Sequence, residues 1–445
     1  MVDSVKYWAE EYHIDGFRFD LMALHDITTM KEIRATLDEV DESILIYGEG
    51  WTGADTPLSS EEQALKVNTV KYGDLQIAAF SDDMRDAIKG HVFEDATPGF
   101  VNGFDGLEDV IKFGIVSSTE NDQVEYTGGP NQYSGYGKTA WANQPYQTVN
   151  YASAHDNLTL WDKLQTTNPD ASEEELLAMN KMSAALVLTS QGIPFFQAGE
   201  EIARTKVKED GTLDENSYKS PDSVNSIDWS RKEEYSDLFN YYKGLISLRK
   251  NHKAFRMNTT DEIQKALTFL EKGKDFAEEN VVAYTLDGSV ANDSWNKIAV
   301  AFNSNTTPVE ITLPGENWTV VVNEKVAGES KLGTVEGNKV VVPAKSSYVL
   351  VDSESYDKAN GGAAVDNKDQ GNNQSKIDNN DTIVDNVSTV NGEDLNNSIN
   401  AAKTADGSLG YVFVILAMSA LGLSIAYNKK KKVKEDSLYL KMNNV

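Results

Sequence analysis

The 445-residue sequence contains no cysteine, and its 70 Asp and Glu residues far outnumber its 41 Lys and Arg residues. The absence of cysteine excludes a disulfide framework, a thiolate metal site and a cysteine nucleophile. The formal net charge of −29 argues against nucleic acid as a partner, because binding to a phosphate backbone depends on Lys and Arg. The charge does not exclude a neutral ligand such as a sugar.

Composition divides the chain into two folded regions. Over residues 1–260, apolar strand-like runs alternate with segments of helical spacing such as EEELLAMNKMSAALVL and EYSDLFNYYKGLISLRKNH, which predicts a large α/β domain. Over residues 261–352, short β-rich runs are separated by Asn, Gly and Pro turns. This pattern is typical of a small antiparallel β-sandwich domain.

The C-terminal segments have a different character. Residues 353–407 are rich in Asn, Asp, Ser and Gly and almost free of aromatic residues, which predicts a disordered linker. Residues 408–428 include the uncharged stretch LGYVFVILAMSALGLSIAY, which is long enough to cross a bilayer at ~1.5 Å per residue. The lysines of the tail, residues 429–445, are typical of the cytoplasmic side. We therefore predict a single-pass membrane anchor, with the preceding domains on the outer face of the cell membrane or in the cell wall.

Charged residues at strand ends are the main functional signal. In IDGFRFD, period-2 alternation places Arg18 and Asp20 on one face, opposite Phe17 and Phe19. A charged strand end fits the C-terminal mouth of a parallel β/α barrel, where catalytic side chains project. We expect Arg18 to keep Asp20 ionised.

Two later strands repeat the pattern. SILIYGEGW ends in Glu49, and TVNYASAHDN ends in His155 and Asp156. A single acid at a strand end is usually a helix cap. Three strands that end in acids, one of them with an inward arginine, favour a catalytic site.

These residues also carry a family resemblance. DGFRFDLM, YGEGW and SAHDN resemble, in order and spacing, three sequence regions of the α-amylase superfamily, and segments such as DDMRDAIKG, QGIPFFQAGEEIARTK and NSYKSPDSVNSIDW resemble type I pullulanases of glycoside hydrolase family 13. The resemblance runs from residue 1 to about residue 352. It implies a (β/α)8 TIM barrel and retaining hydrolysis of α-1,6-glucosidic bonds in pullulan or starch-type α-glucans. Five predicted strands correspond to the fourth to the eighth of that barrel: IDGFRFD, ILIYGEG, IAAFSDD, VNYASAH and IPFFQAG.

The resemblance also implies a role for each site residue. Asp20 corresponds to the nucleophile, Glu49 to the general acid/base and Asp156 to the third carboxylate, which holds sugar hydroxyls in the transition state. The residues expected to bind substrate, or to orient Asp20, are Arg18, Trp51, His155, Tyr218 and Asn225. Tyr218 and Asn225 follow the last strand, where the alternative is that they only order the loop. Glu200 and Glu201 are expected to be structural.

Other expectations concern the part of the family pattern that is not found here. Five strands do not close an eight-stranded barrel, and the N-terminus lacks the features of a secretion signal. We therefore expect this polypeptide alone to be unstable and inactive, and a longer gene product to be active. No cofactor is expected to be required. Many relatives hold structural calcium, but no compact Asp/Asn ligand loop stands out in this sequence.

Two alternative functions stay open. The first is an α-1,4-acting amylase or an isoamylase of the same superfamily. The second is a non-catalytic α-glucan-binding protein of the cell surface. All of these readings have an α-glucan polysaccharide and the membrane as partners, and none involves nucleic acid.

Overall fold

The first part of the fold contains five short parallel strands that are connected by helices. The computed structural model describes residues 1–125 and 139–361. The strands are β1 (Gly16–Phe19), β2 (Leu45–Gly48), β3 (Ala78–Phe80), β4 (Thr148–Tyr151) and β5 (Ile193–Phe195). They pair in chain order, each parallel to the next. The predicted partial barrel of five strands is therefore confirmed.

Helices cover one face of this sheet. They are α1 (Val2–Tyr12), α2 (Ile27–Asp38), α3 (Asp82–Lys89), α4 (Glu108–Ile115), α5 (Leu160–Thr167), α6 (Glu173–Thr189) and, after two short helices α7 (Asp222–Asn225) and α8 (Arg231–Glu234) that add no residue to the shared core, α9 (Ser236–Asn251). Side-chain oxygens of Asp26, Ser81 and Thr159 accept main-chain N–H groups at the starts of α2, α3 and α5, which fixes where each helix begins. The two predicted helical segments correspond to α6 and α9.

The two faces of the parallel sheet differ in what they contact. Phe19, Ile46 and Ala79 belong to a core that also includes the helices. The opposite, inner face carries a separate apolar cluster that includes Phe80 and Tyr151. Because side chains alternate along a strand, one short sequence supplies both layers.

The second region is built from antiparallel strands. They are β6 (Leu267–Phe269), β7 (Val281–Asp287), β8 (Lys297–Asn303), β9 (Val309–Thr312), β10 (Trp318–Val322), β11 (Gly333–Val335), β12 (Lys339–Val342) and β13 (Ser346–Asp352). Six form a sheet in the order β11-β10-β13-β8-β7-β6, and β12 pairs with β9. The predicted antiparallel character is confirmed. The β-rich runs that predicted it did not include β6 and β11; these runs are NVVAYTLDG, KIAVAFNSN, PVEITLP, WTVVVNE and KVVVPAKSSYVLVD.

The larger antiparallel sheet packs on both faces. Along β7, Val282 and Tyr284 join the core of the barrel helices, whereas Val281 and Ala283 join a second core with residues of β9 and β12. One face therefore stabilises the helical layer. All described residues lie in one compact unit. A helix, α10 (Thr260–Ala266), begins at residue 260, where the sequence predicts a domain boundary; that boundary stays a prediction.

A short helix follows the last strand. α11 (Ser353–Ala359) is capped by the side chain of Asp352, and Tyr356 is buried and donates a hydrogen bond to the carbonyl oxygen of Glu329 at 3.1 Å. The linker predicted over residues 353–407 is therefore wrong for 353–359, because one cap and one buried aromatic residue order a polar segment.

The remaining C-terminal predictions lie outside the described residues. These are the rest of the linker from residue 362, the transmembrane helix at 408–428 and the basic tail at 429–445. Within residues 1–125 and 139–361, none of the helices combines the length and apolar character that a membrane span needs.

A buried arginine binds the amino end of β5. Arg249, on α9, donates hydrogen bonds to the carbonyl oxygens of Leu188 at 3.1 Å and Ser190 at 2.5 Å. It also donates to Gly192 at 2.5 Å and to Phe255 at 2.6 Å. These contacts lie at the end of β5 opposite to the strand ends that carry the candidate site.

Apolar residues are exposed near one edge of the parallel sheet. In the described part of the chain, β1 and β5 are the edge strands. Tyr7, Trp8 and Tyr12 of α1 are 51%, 44% and 55% exposed, and their rings contact one another. An open edge beside exposed aromatic rings favours association with another polypeptide.

We expect a polypeptide limited to residues 1–361 to self-associate when it is expressed alone, because the open edge and the aromatic rings of α1 are exposed together. Size-exclusion chromatography with light scattering measures the association. The double variant Trp8→Glu, Tyr12→Lys should reduce it, whereas Lys274→Glu on the exposed surface of the second region should not. A stable soluble monomer would contradict the expectation.

Candidate active site

Charged side chains from three strand ends meet at one edge of the parallel sheet. Arg18 lies on β1, Asp20 follows β1, Glu49 follows β2, and the pair His155 and Asp156 follows β4. One oxygen of Asp20, one oxygen of Glu49 and one ring nitrogen of His155 all lie within 4.8 Å of one another. The structure therefore brings these predicted residues together.

Arg18 joins the two carboxylates of this group. Its Nη1 donates to Asp20 Oδ1 at 2.6 Å, and its Nη2 donates to Glu49 Oε1 at 2.5 Å. A planar guanidinium can hold two acids in a fixed relative orientation, which an ammonium does less well. The sequence predicted the contact with Asp20; the contact with Glu49 is a finding of the structure.

The two carboxylates lie in different environments. Asp20 is open to solvent, with 71% of its side chain exposed, against 7% for Glu49. Burial raises the pKa of Glu49, and the nearby charges of Asp20 and Asp156 raise it further. The main-chain N–H of Leu21, 2.8 Å from Glu49 Oε2, and the charge of Arg18 lower it, but the net direction is upward. Glu49 therefore keeps its proton to higher pH than an ordinary glutamic acid.

The backbone next to Asp20 is strained. Leu21 has a φ of 44°, a left-handed conformation that is uncommon for a residue with a branched side chain. This conformation accompanies the hydrogen bond from its N–H to Glu49. Strain of this kind is most often found at functional sites.

His155 and Asp156 form the open side of the site. His155 Nε2 lies 3.4 Å from Asp156 Oδ1, and their side chains are 57% and 60% exposed. Asn157 follows in a left-handed conformation with a φ of 62°. Both polar side chains are therefore free to contact a bound molecule.

Four of the charged residues of the site border a cavity of about 760 Å³, whereas Asp20 lies beside it, in contact with Arg18 of its wall. Arg18, Glu49, His155 and Asp156 line it together with Trp51, which also packs against the inner apolar cluster of the sheet. Its volume and its mixture of aromatic and charged walls are typical of a small-molecule or oligosaccharide site.

Sequence reasoning missed several residues of the cavity wall. They are Gly53, Phe80, Asp82, Arg85, Lys89, Phe93, Tyr151, Ala154, Asn157, Glu215 and Asn216. The signal for Asp82 was available, because FSDD follows β3 as other acids follow β1 and β2. Phe93 had no such signal, since it lies in the loop after α3, where its side chain is 80% exposed.

Asp82 is a fixed negative charge in the wall. It forms an ion pair with Lys66, whose ammonium also contacts Asp83 at 2.7 Å. Burial raises the pKa of Asp82, but Lys66 and Arg85 lower it more, so the net direction is downward. Asp82 therefore stays ionised while Glu49, in the same cavity, holds its proton more strongly.

Tyr218 and Asn225, the two residues of the loop after β5 that were predicted to bind substrate, do not line the cavity as Trp51 does. Asn225 Nδ2 donates to the carbonyl oxygens of Ser217 at 2.6 Å and Ser220 at 3.0 Å, which supports the loop-ordering alternative for Asn225. Tyr218 is 68% exposed.

Glu200 and Glu201 also lie away from the cavity wall. Glu200 is buried and accepts hydrogen bonds from Ser153 Oγ and from the hydroxyl of Tyr242, the latter at 3.0 Å. Burial raises the pKa of Glu200 to about 7. Glu201 accepts a hydrogen bond from the N–H of Gly199 at 3.0 Å. The contacts of Glu200 therefore join the turn after β5 to the segment after β4 and to α9, whereas the contact of Glu201 stays within the turn.

Asp20, Glu49 and His155 are also of the residue types that bind metal ions, and their ligand atoms are close enough to share one. However, Arg18 already donates to both carboxylates. A cation would have to displace this guanidinium, so the group fits acid/base and nucleophilic chemistry better than metal binding.

Comparison with known proteins gives a consistent family. A family model described as "Pullulanase, all-beta domain" matches residues 263–326. The pullulanase of Bacillus subtilis (strain 168) is 35% identical over 317 residues, which are 71% of this chain and 40% of that protein. The chain thus spans less than half the length of this relative.

Solved structures agree with the sequence matches. The pullulanase from Bacillus acidopullulyticus superposes with a TM-score of 0.69 at 40% identity, covering 79% of this chain and 39% of that one. The Paenibacillus barengoltzii pullulanase in complex with maltohexaose and α-cyclodextrin gives a TM-score of 0.67 at 41% identity, covering 79% and 50%. In sequence and in fold, the chain is a partial relative of the pullulanases of the α-amylase superfamily.

Proposed function

We propose that the native gene product containing these residues is a pullulanase, a retaining glycoside hydrolase that cleaves α-1,6-glucosidic bonds in pullulan and starch-type α-glucans. The observation that carries the proposal is the pair of carboxylates, Asp20 and Glu49, joined by Arg18 at the mouth of the half-barrel. The maltohexaose complex of a pullulanase of similar fold supports an α-glucan substrate.

The separation of the two carboxylates supports a retaining mechanism. Retaining glycosidases hold their two carboxyl groups about 5 Å apart, because the nucleophile attacks the sugar directly, whereas inverting enzymes leave room for a water molecule. Oxygens of Asp20 and Glu49 approach within 4.8 Å. In the first step Asp20 attacks the anomeric carbon as Glu49 protonates the departing oxygen. In the second step Glu49 deprotonates the water that releases the sugar from Asp20.

The environments of the two groups suit these different roles. Asp20 is exposed and paired with Arg18, so its oxygens are accessible for attack on a sugar. Glu49 is buried with a raised pKa, so it can act as a proton donor at higher pH than an ordinary glutamic acid. Asp156 and His155 face the cavity, where they would bind the hydroxyls of the sugar under attack, and Trp51 would stack on a glucosyl ring.

We further propose that the enzyme is held at the outer face of the cell by the uncharged segment 408–428 and requires no cofactor for hydrolysis. The support for the anchor is the sequence of that segment alone. The support for cofactor-free chemistry is that two carboxyl groups and Arg18 supply the nucleophile, the acid and the positive charge.

Incubation of the native gene product with pullulan should release maltotriose, because hydrolysis of each α-1,6 bond in this polymer separates two maltotriose units. Ion-exchange chromatography of the products measures it, with amylose as the control substrate. Cleavage of amylose but not of pullulan would instead assign an α-1,4-acting amylase. Saturable binding of pullulan without any product would assign a glucan-binding protein.

Asp20→Asn should lower kcat on pullulan by about 10⁴-fold, because an amide cannot form the covalent intermediate. Steady-state kinetics on purified protein measures the loss. Asp41→Asn is the matched control: Asp41 is exposed, lies before the amino end of β2 and accepts hydrogen bonds from the neighbouring Ser43. A loss of less than about tenfold in Asp20→Asn would refute the nucleophile assignment.

The alkaline limb of the pH profile should report Glu49. Because the pKa of Glu49 is raised, kcat/KM should hold above the ordinary range of a glutamic acid and fall as the pH rises through that pKa. Asp156→Asn removes a negative charge that raises this pKa, so its alkaline limb should move to lower pH, although its rate is reduced. Relative rates of the two proteins across pH 4 to 9 measure the shift. An unchanged limb, or one moved to higher pH, would contradict the assignment.

A further inference from the structure

A buried lysine joins the two loops that follow β4 and β5. Lys206 comes from the loop after β5, and its side chain is almost completely buried, with 2% of the residue exposed. Its Nζ donates to the carbonyl oxygen of His155 at 3.0 Å and to Ser217 Oγ at 2.6 Å. One ammonium group therefore binds the main chain at His155 and links it to the loop that contains Ser217.

The main chain of Lys206 is itself bound by a carboxylate, that of Asp162. The N–H of Lys206 donates to Asp162 Oδ2 at 2.9 Å, and the hydroxyl of Thr205 donates to the other oxygen of the same carboxylate. Asp162 is in the first turn of α5, the helix that Thr159 caps directly after the His155 segment. Lys206 is thus bound to the segment after β4 through His155 and to the following helix, α5, through Asp162.

The side chains of His155 and Asp156 receive little packing support. Both are more than half exposed, and their mutual contact is 3.4 Å long. Their direction must therefore come largely from the main chain, which enters the left-handed conformation at Asn157. The carbonyl group of His155 is the point at which Lys206 holds that main chain.

We propose that Lys206 is a positioning residue of the active site: by binding the main chain of His155 and the hydroxyl of Ser217, it aims His155 and Asp156 into the cavity. The proposal rests on the hydrolase function proposed above. Lys206 does not belong to the cavity wall, so it acts through His155 and Asp156 and not by contact with the substrate.

The choice of a buried cation fits this task. An ammonium carries three hydrogens and has no acceptor, so at the end of a long side chain it can donate to both the carbonyl oxygen of His155 and the hydroxyl of Ser217. Burial lowers the pKa of Lys206, and Arg204 lowers it further, whereas Asp214, Asp156 and Asp162 raise it. The surrounding carboxylates therefore help to retain the positive charge, which strengthens the two hydrogen bonds that Lys206 donates.

The test is Lys206→Met in the native gene product, which keeps the chain length and removes the ammonium. We expect kcat on pullulan to fall by about 10²-fold, with KM changed by less than about threefold, because misplacement of a group that acts in the transition state mainly lowers kcat. Lys206→Arg restores donors and should recover kcat to within about tenfold of wild type. Ser217→Ala, which removes one of the two acceptors, should cause a smaller loss.

Arg249→Met is the matched control, because Arg249 is also a buried cation that donates to main-chain carbonyls, at the opposite end of β5. It should lower the Tm while the folded protein keeps its kcat. Equal losses of kcat per folded molecule in Lys206→Met and Arg249→Met would overturn the proposal. So would a Lys206→Met protein with wild-type kcat.

Hydrogen–deuterium exchange separates this proposal from the function itself. Peptides covering residues 152–158 should exchange faster in Lys206→Met than in wild type, and not in Arg249→Met, whether or not the protein hydrolyses pullulan. A wild-type protein without pullulan hydrolysis would refute the proposed function only. Unchanged exchange in residues 152–158 would refute the positioning role.

Discussion

Parallel pairing in chain order is the constraint on which the site depends. Because β1 to β5 run in the same direction, their carboxyl ends lie at one edge, and residues far apart in sequence are brought together there. The alternation of side chains then assigns aromatic residues such as Phe80 to the inner face and aliphatic residues such as Ile46 to the helical layer. The charged groups remain at the ends, where solvent and ligand can reach them.

In and next to the cavity, each of two cations forms ion pairs with two carboxylates. Arg18 lies between Asp20 and Glu49, and Lys66 lies between Asp82 and Asp83. Buried charges are unfavourable unless they are paired and hydrogen-bonded, so these contacts allow several ionised groups to stand close together. The result is a cavity in which one carboxylic acid is buried and proton-retaining, while others stay ionised.

The antiparallel region contributes to the same structure although it carries no residue of the cavity wall. One face of its larger sheet shares a core with the barrel helices, so burial of β7 and β13 also stabilises α6 and α9. The second half of α6 is buried on nearly every side, which explains why its apolar residues do not form a single stripe. The antiparallel sheet thus covers the helical layer of a half-barrel that has two edge strands.

The sequence alone determined the local features: the three strand-end motifs, the helices α6 and α9, and the charged residues Asp20, Glu49 and Asp156, because strand periodicity and strand-end acids are visible within a few residues. It did not determine which long-range partners meet. The second contact of Arg18, the place of Phe93 in the wall and the contact of Lys206 with His155 all depend on how separate loops pack. Only the tertiary structure decided these, since hydrogen bonds between residues tens of positions apart leave no periodic signal in the chain.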